Sequence, residues 1–148
     1  MAIHRMDHVG IVVDDLESAT AFFVELGLEV LSEWTAEGGS VDRVVGLQGV
    51  RAECAMLETP DGHARLELSK FHAPPGRGGD RHEPANAPGI RHLCFAVDDV
   101  DATVARLRAR GAELVGEVEN YENIYRLCYV RGPEGIILEL AEKIGRGS

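Results

Sequence analysis

Lysine is almost missing from this chain. Of 15 basic residues only Lys70 and Lys143 are lysine, and 25 acidic residues outnumber the cations to a net charge of −10. A duplex-binding protein needs a basic face that releases counterions, so this balance argues against a nucleic-acid partner. Cysteine is also scarce. Cys54, Cys94 and Cys128 make an odd count with no CxxC spacing, which excludes a disulfide framework and a thiolate zinc site. All three lie in apolar runs and read as buried free thiols of a reduced, cytoplasmic protein. No run approaches the roughly 18 apolar residues of a membrane span, and the N-terminus lacks the charged and apolar regions of a secretory leader. What remains is an ordinary globular composition, 45% hydrophobic and 27% charged over 148 residues. It suits one domain or two small modules that share a core.

The strongest internal signal is a duplication. Residues 8–31 and 92–115 align without a gap at an offset of 84. Seven positions are identical: His8/His92, Val13/Val97, Asp14/Asp98, Asp15/Asp99, Ala21/Ala105, Gly27/Gly111 and Glu29/Glu113. The module ends match too. Thr59-Pro60-Asp61-Gly62-His63-Ala64-Arg65-Leu66-Glu67-Leu68 corresponds to Gly132-Pro133-Glu134-Gly135-Ile136-Ile137-Leu138-Glu139-Leu140. Two copies at so long a period indicate a repeated supersecondary unit rather than a solenoid.

Each copy reads as βαβββ, an α+β plan. In the first, His8 to Val13 is a β-branched strand. Asp14-Asp15 supplies a helix cap, with Glu17 in a capping-box position. Ala19, Phe22, Phe23 and Leu26 form one apolar helical stripe that Gly27 ends. Strands follow at 28–34, 50–57 and 64–69. The second copy predicts strand 92–97, helix 100–110 and strands at 114–117, 125–130 and 136–141. The domain therefore comprises module 1 (3–70), a Pro- and Gly-rich linker (71–89) and module 2 (90–142). A further loop, 36–49, has the length of a functional lid.

The duplication selects the chemistry. His8 and His92 open the first strand of each copy, and Glu67 and Glu139 lie on the last, each between two leucines. Strand side chains alternate faces, so leucines packed on the helix send each glutamate to the other face. Val9, Ile11 and Val13 likewise oppose His8, Gly10 and Val12. Both histidines and both glutamates are expected to converge. Two imidazoles and two carboxylates suit one divalent ion (Zn, Ni, Co, Mn or Fe), which also offsets the cost of burying the acids. Tyr121, Tyr125 and Tyr129 are candidates for the cavity wall. His72 and His82 in the linker, and His4 and His63, are expected to be solvated.

At these residues the sequence resembles the vicinal oxygen chelate superfamily of glyoxalases, bleomycin resistance proteins and dioxygenases. The segments Asp7–Leu16, Gly89–Val100 and Pro133–Leu140 carry the likeness, which extends over 3–142. The resemblance implies two tandem βαβββ modules in a cupped eight-stranded mixed sheet around a metal held by His8, Glu67, His92 and Glu139. A His/Glu/His/Glu set matches the glyoxalase I branch; the epimerases commonly carry Gln where Glu67 stands. It further implies a homodimeric lyase or isomerase acting on a small α-oxygenated carbonyl substrate through a metal-stabilised enediolate. Glu67 and Glu139 are then the candidate bases, and Glu53 is the counterpart of the additional epimerase acid. The alternatives are an antibiotic-binding resistance protein of the bleomycin type and an extradiol dioxygenase.

Overall fold

The computed structural model describes residues 2–146. The chain divides into two compact units, Met1–Gly78 and Gly79–Ser148.

In the first unit, β1 (Val9–Val12), β2 (Glu29–Glu37), β3 (Arg51–Glu58) and β4 (Arg65–Ala73) form one sheet in the order β1-β4-β3-β2. β1 runs parallel to β4, and the other pairs are antiparallel. Helix α1 (Leu16–Leu26) starts where the Asp15 carboxylate accepts the Ser18 amide at 3.0 Å. The cap is one residue later than the Asp14/Glu17 spacing predicts, so Ser18, not Glu17, occupies the third helical position. Gly27 ends the helix at φ 129°, donating its N–H to Phe23 and Val24. That positive φ strains any residue with a Cβ. α1 buries Ala19, Phe22 and Phe23, on the sheet face where Leu57, Leu66 and Leu68 are also buried. Phe23 is fully buried, which is worth about 2–3 kcal/mol relative to exposure.

The second unit repeats the plan. β5 (His92–Ala96), β6 (Glu113–Leu114), β7 (Glu119–Tyr121), β8 (Tyr125–Arg131) and β9 (Ile137–Lys143) form a sheet of order β5-β9-β8-β6, with β7 also paired to β8. Helix α3 (Val100–Arg108) is capped by Asp99, and Glu142 Oε1 accepts the Val100 amide at 2.8 Å. Val100, Leu107, Val130, Leu138 and Leu140 form the buried interior.

The α+β class and the doubled βαβββ order stand as the sequence predicts. The described residues form two sheets, of four and five strands, one in each unit. The extra strand, β7, arises because the last module's connection is long enough to fold back on β8. The predicted loop 36–49 is largely structured. β2 runs on to Glu37, and Gly39–Val45 is a helix, α2. Asp42 accepts the backbone N–H groups of Gly49 and Val50 at 3.0 and 2.8 Å, tying α2 to the start of β3. The predicted linker is shorter, because β4 continues through Ala73. Among the described residues no helix is long and apolar enough to cross a membrane.

Candidate functional site

Cross-strand register decides which residues share a face. Gly10 stands opposite Glu67 on the parallel pair β1/β4, and Met56 stands opposite Glu67 on β3. His8 precedes β1, and its ring reaches this face, with Nε2 3.5 Å from Glu67 Oε2. The second unit repeats the relation. Cys94 is opposite Glu139, Tyr129 is opposite Glu139 on β8, and His92 Nε2 is 3.2 Å from Glu139 Oε1. Each unit thus forms one His/Glu pair. Among the described residues no three His, Cys, Asp or Glu side chains gather as one metal-holding group.

The imidazoles are held differently. His8 Nδ1 donates to Asp7 Oδ2 at 2.8 Å. The contact lowers the Asp7 carboxyl below the usual range, with Arg5 at 3.1 Å lowering it further. A carboxylate only accepts, so the proton of a neutral His8 sits on Nδ1 and the Nε2 lone pair faces Glu67. Two electron-rich groups in that arrangement call for a cation or a proton between them. Cis ligands on one metal with bonds near 2.1 Å stand about 3 Å apart, close to both pair separations. His92 instead packs against Tyr129, with ring centroids 4.9 Å apart and the phenol oxygen 3.4 Å from Nδ1. A hydroxyl both donates and accepts, so it serves either tautomer of His92.

The sequence did not single out Asp7, because neighbouring strand residues point to opposite faces. His8 escapes that rule: the ladder begins at Val9, so His8 precedes it. Tyr129 is the tyrosine that reaches a site histidine. Cys94 is exposed, against the expectation of burial, because it shares the outward face of His92. Partial burial and the adjacent Glu139 raise its thiol above the usual range. Cys54 and Cys128 are buried as expected.

Glu53 is not brought to Glu67. Three residues from Met56, it lies on the opposite face of β3, with Ala55 and Leu57 on the α1 side. There its Oε2 is 3.2 Å from His72 Nε2. His72, expected in the linker, is therefore a strand residue with an acidic partner. Glu53 also lines a cavity of about 640 Å³ on the α1 side, with Glu17, Thr20, Val24 and Glu33. That cavity is on the other side of the sheet from the His8–Glu67 pair.

Comparison with known proteins places this pattern. The family model described as Glyoxalase/Bleomycin resistance protein/Dioxygenase superfamily matches residues 5–140. The chain belongs to this superfamily. The crystal structure of a glyoxalase family protein from Bacillus cereus superposes with a TM-score of 0.94 at 50% identity, covering 98% of this chain and 99% of that one. The uncharacterized Escherichia coli protein YaeR is 28% identical over 145 residues, covering 97% of this chain and 99% of YaeR. The trypanothione-dependent glyoxalase I of Leishmania major, at 24% identity and a TM-score of 0.67, shares the superfamily fold over 95% of this chain and 87% of that one.

Proposed function

We propose that the protein is a divalent-metal-dependent lyase or isomerase of the glyoxalase I type. Its substrate is a small α-oxygenated carbonyl compound. Its proposed metal ligands are His8, Glu67, His92 and Glu139, and the protein acts as a homodimer. The observation that carries this reading is the approach of His8 Nε2 to Glu67 Oε2 at 3.5 Å, matched by His92 Nε2 and Glu139 Oε1 at 3.2 Å.

The ion, when bound, polarises the substrate carbonyl and lowers the cost of negative charge on its oxygen. The chain supplies the remaining functions. Asp7 and Tyr129 keep the imidazoles in place. Glu67 and Glu139 present carboxylate oxygens on the same faces, and one of them takes the proton from the carbon beside the carbonyl and returns it at the neighbouring position. Ser69 Oγ, 3.4 Å from Glu67 Oε1, steadies the first of these bases.

The test is calorimetric titration with Zn, Ni, Co, Mn and Fe(II) salts, followed by an activity screen of the loaded protein on hemithioacetals, 2-methylmalonyl-type thioesters and catechols. Metal uptake that is lost in His8→Ala and Glu139→Ala, with turnover of a hemithioacetal or thioester, supports the proposal. Catechol cleavage with oxygen uptake would assign a dioxygenase instead. Failure of every metal to bind would end the metal reading.

A further inference from the structure

Strands β8 and β9 form one antiparallel ladder past Glu139, and its register fixes what shares the face of that carboxylate. Tyr129 stands opposite Glu139, then Leu127 opposite Ala141, then Tyr125 opposite Lys143. The residues between them, Cys128, Val130, Leu138 and Leu140, are buried on the other side of the sheet. The ladder is open to solvent on the Glu139 face. Tyr129, Leu127, Tyr125 and Ala141 are half-buried there, and Lys143 is exposed. Toward the other end the ladder closes. Ile137 is 3% exposed, and Arg131 opposite it spends its guanidinium on the Gly135, Arg81 and Glu83 carbonyls. A molecule whose reacting atoms lie at Glu139 therefore extends along these two strands in one direction, over Leu127 and Ala141 toward Lys143.

Lys143 makes no ion pair among the described residues. Besides Glu139, the acid of these rows is Glu119, which stands opposite Leu127 on β7, two strands away from β9. Tyr125, directly opposite Lys143, brings a hydroxyl that also donates. An uncharged floor with one ammonium at its far end matches an apolar linker that ends in a single negative charge. Lysine is a compact point charge without the forked donors that suit a phosphate dianion. By strand rise the Cα atoms of Glu139 and Lys143 are roughly 13 Å apart, a gap that a linker of about six carbons bridges to the tip of the lysine stem. From this we infer that the non-reacting end of the substrate is a carboxylate on an apolar linker, and that Lys143 is the specificity-determining residue that receives it. The inference rests on the metal reading above and adds the substrate class to it.

Hydroxamates offer two adjacent oxygens to a metal and can carry any tail. Suberic monohydroxamate and its terminal amide have the same length and shape and differ in the charge at the far end. Metal-loaded protein is titrated calorimetrically with both, and with acetohydroxamate, which has no tail. The expected result is binding of the acid about three- to fivefold tighter than the amide, the worth of a solvated ion pair. Lys143→Met should remove that preference, Lys143→Glu should invert it, and Lys143→Arg should retain it. Acetohydroxamate should bind the parent and all three variants alike, which guards against a folding defect. Equal affinity of acid and amide in the parent, or a preference that survives Lys143→Met, overturns the inference while leaving the metal site intact. Absence of metal-dependent binding for acetohydroxamate itself overturns the metal reading and the inference together.

Discussion

Asp7 Oδ2 lies 2.8 Å from His8 Nδ1, and this one contact orients the imidazole whose other nitrogen faces Glu67. Among the described residues no equivalent acid backs His92, where the partner is the phenol of Tyr129. The two His/Glu pairs are alike in residue type and unlike in support.

Replacing Asp7 by Asn removes the anion that fixes the His8 tautomer. Metal affinity should fall about 10- to 100-fold, as outer partners of ligating histidines typically contribute. Tyr129→Phe should cost less, since ring packing against His92 survives. Calorimetric metal titration of both variants checks the order; equal losses would show that the supports are equivalent.

Asp42 holds α2 to β3 through the Gly49 and Val50 amides. Asp42→Ala should destabilise the first unit by about 1–2 kcal/mol, the worth of charge-assisted bonds in a half-buried place. Faster hydrogen exchange at the two amides would locate the effect, and unchanged exchange would rule the latch out.

Gly135 has φ 87°, and a Cβ there would sit 2.2 Å from the carbonyl oxygen of Arg81. Arg131 holds the same stretch by donating to the Arg81 and Glu83 carbonyls at 3.3 and 2.9 Å. Gly135→Ala should therefore loosen residues 79–84. Limited proteolysis should cut the variant there faster than the parent, and an unchanged cleavage pattern would contradict this docking.

Arg126 Nη2 donates to Asp101 Oδ1 at 3.1 Å, and the guanidinium lowers the Asp101 carboxyl below its ordinary value of 3.8. Because the folded value is depressed, the contribution is complete above the unfolded pKa and is lost as pH falls through the folded one. Arg126→Gln should return the Asp101 titration, followed by NMR, upward to near 3.8. Stability should change little at neutral pH, since the Asp101 carboxylate is largely solvated.

Much of the site was legible in the sequence because duplication made it redundant. His8 and His92 recur at one offset, and Glu67 and Glu139 recur within matching leucine frames. Period-two alternation then assigned their faces correctly: Leu66 and Leu68 are buried beneath α1 while Glu67 faces away. Glu53 shows the limit of that reasoning. Its own strand alternates Ala, Cys, Ala and Met, small or adaptable residues that suit either face. Only the pairing of Met56 with Glu67 shows that Glu53 belongs to the other side.

The sequence by itself determined the element order, the α+β class and the two glutamates and two histidines that stand in pairs, because local periodicity and caps are properties of neighbouring residues. Tertiary structure decided what depends on partners far along the chain. It placed Tyr129 against His92 across 37 residues, turned Glu53 toward His72, and set Trp34 in the same cross-strand row as Ser69. Register is the physical reason: a slip of one residue in any ladder would exchange the two faces, and no short window of sequence records which slip is taken.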